Sequence, residues 1–147
     1  MFNKFLTNLE NLKSGTQPQW GKMTAQHMVE HLITAVQMSN GQLHFDCFNP
    51  PEKLPALKRF LMSERPLPHN FVNPVIGPDI LQLQYPDIEE ANKILKSEIN
   101  DYHSFFELNA EAKPTNVTFG ELNKEEWDQF HKKHFTHHFT QFGLIAG

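Results

Sequence analysis

Apolar residues recur at helical spacing in four long stretches of the chain. Phe2, Phe5, Leu6, Leu9 and Leu12 predict a first helix of about twelve residues, ended by Ser14-Gly15-Thr16-Gln17-Pro18. Gln19 to Met23 reads as a short connector whose Trp20 packs down on the helices. Thr24 can cap a second helix running to about Ser39, where Asn40-Gly41 stops it. Its apolar side holds Ala25, Met28, Leu32, Ala35 and Val36. Ile88, Ala91, Leu95, Ile99, Tyr102 and Phe106 lie on one face of a long third helix over 88–108. Asn123 followed three residues later by Glu126 forms a capping box, so a fourth helix starts at about Lys124 and ends near Phe142-Gly143.

Between the second and third helices the pattern breaks down. Seven of the ten prolines fall between Pro50 and Pro78. Leu54, Leu57, Phe60 and Leu61 suit one short helix within residues 52–63. Residues 63–85 then read as a long ordered loop or lid, with turns at Asn73-Pro74 and Gly77-Pro78. Leu81 to Tyr85 alternates weakly, as a short extended segment would. No other strand pattern and no internal repeat is present. The expected fold class is all-α: one domain over 1–147, a four-helix bundle with a long crossover between helices two and three.

Composition narrows the function classes. Thirteen phenylalanines in a chain that is 39% hydrophobic supply a packed core without disulfides. A net charge of −4 and no basic run give no electrostatic basis for binding nucleic acid or anionic lipid. Cys47 is the single cysteine, which favours a reducing compartment and a small apolar filler's role. With no signal-like start and no apolar run of membrane-spanning length, the expectation is a soluble, cytoplasmic protein.

The chemistry concentrates in the fourth helix. Four of the nine histidines lie within eight residues there, at 131, 134, 137 and 138. At about 100° per residue, Trp127, Phe130, His134, His138, Gln141 and Ile145 share one narrow face. Two imidazoles one turn apart on an apolar face make a bidentate metal clamp that needs a third ligand. His31 lies at the edge of the second helix's stripe, beside Met28 and Ala35. His27 lies about 40° further toward the polar side, and Glu30 points away. His31, His134 and His138 are therefore the candidate ligands, giving a three-histidine site with positions open for water or substrate. His131 and His137 flank the face and read as rim residues; His44, His69 and His103 read as solvated. Gln141 either bonds a bound water or substrate, or caps a buried polar group. Phosphate loops, nucleophile elbows and His-Glu-x-x-His are all missing from the sequence. Glu89-Glu90 and Glu125-Glu126 complement helix dipoles.

Three stretches carry a resemblance. Trp20-Gly21-Lys22-Met23-Thr24 leads into Met28-Val29-Glu30-His31-Leu32. Phe119-Gly120-Glu121-Leu122 leads into Glu125-Glu126-Trp127, and His134-Phe135-Thr136-His137-His138 leads into Gln141-Phe142-Gly143. Together they resemble the DinB-like (YfiT-like) superfamily of metal-binding four-helix bundles, in an uncharacterised bacterial branch. One departure is visible: Asn116-Val117-Thr118 stands where that branch often has His-Pro. The resemblance implies a homodimer and a divalent transition metal (Zn, Ni or Fe) on His31, His134 and His138. It implies a metal-dependent enzyme, in first place a thiol-dependent S-transferase using a low-molecular-weight thiol. A metal-dependent hydrolase, or a non-enzymatic metal-binding, stress-associated dimer, stands as the alternative.

Overall fold

The structure, a computed structural model, describes residues 2–69, 71 and 82–146. It is mostly helical. The helices are α1 (Asn3–Asn8), α2 (Ala25–Ser39), α3 (Leu54–Leu61), α4 (Ile88–Leu108) and α5 (Lys124–Gln141). Short 3-10 turns extend α1 over Leu9–Asn11 and precede α3 over Pro51–Lys53. The first helix is thus six α-helical residues and one tighter turn rather than twelve continuous residues.

Local chemistry explains the long helices. The Thr24 side chain accepts from the His27 backbone N–H and starts α2. Asp87 caps α4 by accepting from Glu90 N–H, with Glu89 and Glu90 in its first turn. Asn123 and Glu126 form the full reciprocal capping box of α5, and Glu126 also pairs with Lys58 of α3 at 3.1 Å.

α2 packs chiefly on α4, and α5 touches both α2 and α3. One hydrophobic core joins residues of α1, α2, α3, α4 and α5. Aromatic rings dominate where α1 meets α5: Phe2 on Phe135, and Phe5 on both Phe135 and Phe139. Phe135 and Phe139 lie outside the expected stripe of the last helix yet are wholly buried. α5 is therefore enclosed on more than one side.

The connection over 109–123 holds a feature the pattern did not announce. β1 (Thr115–Asn116) and β2 (Gly120–Glu121) pair antiparallel, each too short to alternate visibly. Asn116 Oδ1 accepts from the N–H groups of Thr118 and Phe119 and closes the turn. Gly120 has φ +80°, and a Cβ there would meet Leu54 Cδ1 at 2.8 Å. Trp127 Nε1 donates to the Pro114 carbonyl, tying this hairpin to α5.

The segment after α3 is fastened at both ends. Gln129 Nε2 donates to the Ser63 carbonyl and Lys133 Nζ to the Arg65 carbonyl. At the far end, Glu30 accepts from the backbone N–H groups of Gln84 and Tyr85 at 2.7 and 3.3 Å. Glu30 therefore does not point idly away; it anchors residues 84 and 85 to α2. The expected turns at Asn73-Pro74 and Gly77-Pro78 lie outside the described residues, as does much of the proposed lid and Leu81 of the extended segment. No described helix is long and apolar enough to cross a membrane.

Candidate metal centre

α5 sets His134 and His138 one turn apart, and α2 brings His31 across to meet them. His31 Nε2 is 3.0 Å from His134 Nε2, and His138 Nε2 is 3.2 Å from His134 Nε2. The three rings stand nearly perpendicular to one another, with centroids 4.8–4.9 Å apart. Among the described residues these three form the one such group close enough to hold an ion, all ligand atoms lying within 4.8 Å of one another. His134 and His138 are buried, and His31 is half-buried.

The donor set fits a metal. Two nitrogens each about 2.1 Å from one ion, at an angle of about 90–110°, lie about 3.0–3.4 Å apart. Both separations from His134 fall in that range, and all three ligand atoms lie within 4.8 Å of one another. Protons alone serve the cluster poorly. Gln141 Oε1 lies 2.7 Å from His138 Nδ1 and only accepts, so His138 carries its proton there and presents a bare Nε2. One proton on His134 Nε2 cannot satisfy both neighbours at once. A single cation would receive all three lone pairs.

Burial keeps these imidazoles neutral, as ligands must be. Desolvation first, then nearby His137, lowers His31 to about 4. His134 and His138 are held well below the usual imidazole range, again by burial first and by neighbouring histidines second. The metal-free protein is expected to lose stability as pH falls below about 6.5. The unfolded chain then takes up protons that the folded trio refuses, so the stabilisation present above 6.5 drains away toward pH 4 and below. Each such group shifts the folding equilibrium by about tenfold per pH unit in that window. Urea midpoints measured between pH 7 and pH 5 check this; a midpoint that holds or rises on acidification contradicts it.

The other histidines divide differently from expectation. His131 is not at the rim: it is fully buried in an aromatic cage of Phe2, Tyr102 and Trp127. Its Nε2 lies 2.8 Å from Ser39 Oγ, which itself donates to the Val36 carbonyl. Burial pushes His131 down to about 3, so it is a neutral donor that ties α5 to α2. His137 is also buried, its ring against His138 and edge-on to Trp20. His44 is exposed beside Asp46. His103 lies at the surface against Phe2 and Tyr102. His69 stacks flat on Trp20, with centroids 3.8 Å apart. Trp20 and His69 line a cleft of about 510 Å³ with Gln19, Thr140, Leu144 and Ile145. Cys47 is half-buried, its Sγ directed at the carbonyls of Asn49 and Thr118.

Gln141 is the inward-facing residue whose role helical periodicity left undecided. It reaches neither solvent nor an open position: its Oε1 faces His138 and its Nε2 donates to the Trp20 carbonyl at 3.0 Å. The paired signal, Trp20-Gly21 against Gln141, joins residues 121 positions apart and has no local signature.

Comparison with known proteins corrects the family expectation. The chain belongs to the family described as "Protein of unknown function (DUF1569)", whose model matches residues 3–143. That is a distinct family, and no DinB-like family matches, so the resemblance to DinB-like bundles does not hold. The expectations of a thiol co-substrate and a homodimer lose the support they drew from it. Among curated proteins the chain is similar to "Regulatory protein SIR1" of Saccharomyces cerevisiae, in strains YJM789 and S288c. Identity is 24% over 135 residues, covering 90% of this chain and 20% of the relative. The chain thus spans about a fifth of the length of these relatives. No solved structure gives a significant match.

Proposed function

We propose that this DUF1569 protein is a metal-dependent enzyme, a four-helix bundle in which α2 and α5 hold one divalent transition metal ion. His31, His134 and His138 would be its ligands. The observation that carries this reading is the convergence of three neutral imidazole nitrogens at 3.0 and 3.2 Å. The bundle reading is supported by one continuous core drawn from α1, α2, α4 and α5.

The donor chemistry suits Zn, Ni or Fe. No carboxylate or thiolate joins the three imidazoles among the described residues, so the protein would leave the ion's double charge uncompensated. When bound, such an ion acidifies a water or thiol at its open positions and polarises a carbonyl. The chain's own residues do the remaining work. Burial holds the ligands deprotonated, Gln141 orients His138, and half-buried His31 marks the side nearest solvent. Either activated water or an activated thiol suits this arrangement, so hydrolysis and thiol transfer both remain within the proposed class.

A second reading draws on the similarity to a protein named as regulatory: a non-enzymatic metal-binding module. Cobalt-loaded protein separates the two. Under the enzyme reading, azide or a small thiol perturbs the visible cobalt spectrum by occupying an open position. A stoichiometric cobalt complex whose spectrum ignores both favours the closed, non-enzymatic module. Failure of metal-stripped, untagged protein to bind Zn, Ni, Fe or Co at all would sink both readings.

A further inference from the structure

We propose that Gln141 is the positioning residue of the metal centre, fixing His138 in its Nδ1–H form so that the Nε2 lone pair faces the ion. This rests on the metal reading above and adds a residue to it. The Trp20 carbonyl lies 3.0 Å from Gln141 Nε2, and a carbonyl accepts only from a donor. The amide must therefore turn its NH2 group to Trp20. That leaves Oε1 facing His138 Nδ1 at 2.7 Å, and a carbonyl oxygen again only accepts. Nδ1 consequently bears the hydrogen. A neutral imidazole has one such hydrogen, so Nε2 is bare and faces His134.

The grip on Gln141 is tight. Its side chain is buried, and its own carbonyl accepts from Gln19 N–H at 2.7 Å. Gly21 closes the cradle. It has φ +84°, and a Cβ there would stand 3.0 Å from Gln141 Nε2. Residues 19–21 thus hold the Gln141 backbone and side chain together, just ahead of the helix that carries His31. His134 has no equivalent brace, since its Nδ1 is buried without a partner among the described residues. Of the α5 pair, His138 alone has its Nδ1 held by a partner among the described residues.

Nitrogen NMR of metal-free, 15N-labelled protein reads the His138 ring directly, and a zinc titration reads its consequence. The wild type is expected to show His138 as the Nδ1–H neutral form. Gln141→Leu, close in volume but without polar atoms, should mix the two neutral forms and weaken zinc binding by about 10–100-fold. Gln141→Glu keeps an acceptor for Nδ1–H and should restore most of that affinity. The His131 ring signals, set by Ser39 two turns away along α5, should stay in place in both variants and report that the fold is intact. A Gln141→Leu protein with an unchanged His138 form and unchanged zinc affinity overturns the proposal. If the wild type binds no zinc, the metal reading fails, while the His138 signals of the metal-free proteins still decide the role of Gln141.

Discussion

Zinc at a thousandfold excess over its dissociation constant is expected to raise the melting temperature by about 8–16 °C, and His134→Ala is expected to abolish that rise. The magnitude follows from mass action. A ligand at that excess, binding only the folded chain, adds about 4 kcal/mol, and a chain of this size gains about 2–4 °C per kcal/mol. His134 is the variant of choice because its Nε2 is the shared neighbour of the other two, at 3.0 and 3.2 Å. Removing it leaves one nitrogen on α2 and one on α5, with no third donor among the described residues. The metal-free variant should remain folded, because the trio without an ion holds close nitrogen contacts that one proton cannot satisfy. Thermal melts with and without zinc, on both proteins, measure the effect. Equal zinc-induced rises in wild type and variant would remove His134 from the site.

Trp127→Ala should cost about 3–5 kcal/mol of stability and lower the melting temperature by about 6–20 °C. Trp127 is wholly buried and packs on Phe130 and His131. Its Nε1 donates to the Pro114 carbonyl at 2.9 Å, the bond that ties the hairpin connection to α5. Truncation therefore opens a large cavity and removes one of the two donors to the Pro114 carbonyl, which keeps Leu122 N–H. Trp127→Phe keeps most of the ring and loses only the bond, so it should cost distinctly less. Urea unfolding at constant slope checks both. A Trp127→Ala penalty below about 1 kcal/mol would mean that the core does not close over this residue as described.

The long helices were legible because their ends carry side-chain chemistry. Thr24 before α2 and the Asn123–Glu126 box before α5 each placed a boundary to the residue. The meeting of His31, His134 and His138 was legible for a related reason: helical periodicity puts His134 and His138 one above the other, and gives α2 one histidine beside its apolar stripe. What escaped was anything that depends on more than one packing partner. A single stripe cannot show that α5 is enclosed on several sides, so His131, Phe135 and Phe139 were not assigned to the core. The clasp of Glu30 on Gln84 and Tyr85 joins residues more than fifty positions apart, and no local pattern encodes it. Two-residue strands have no room to alternate. The family resemblance misled because its motifs gather around the caps and the histidines of two helices. A helical metal clamp demands such residues whatever the family, whereas the matching family model spans residues 3–143.

The central claim is that one metal ion sits on His31, His134 and His138. Anomalous diffraction from crystals of zinc-loaded protein tests it most directly. One strong zinc peak per chain is expected, about 2.0–2.1 Å from the Nε2 atoms of all three histidines, with at least one further position held by a non-protein ligand. No zinc peak between α2 and α5, or a zinc ion held there by a different set of side chains, would contradict it.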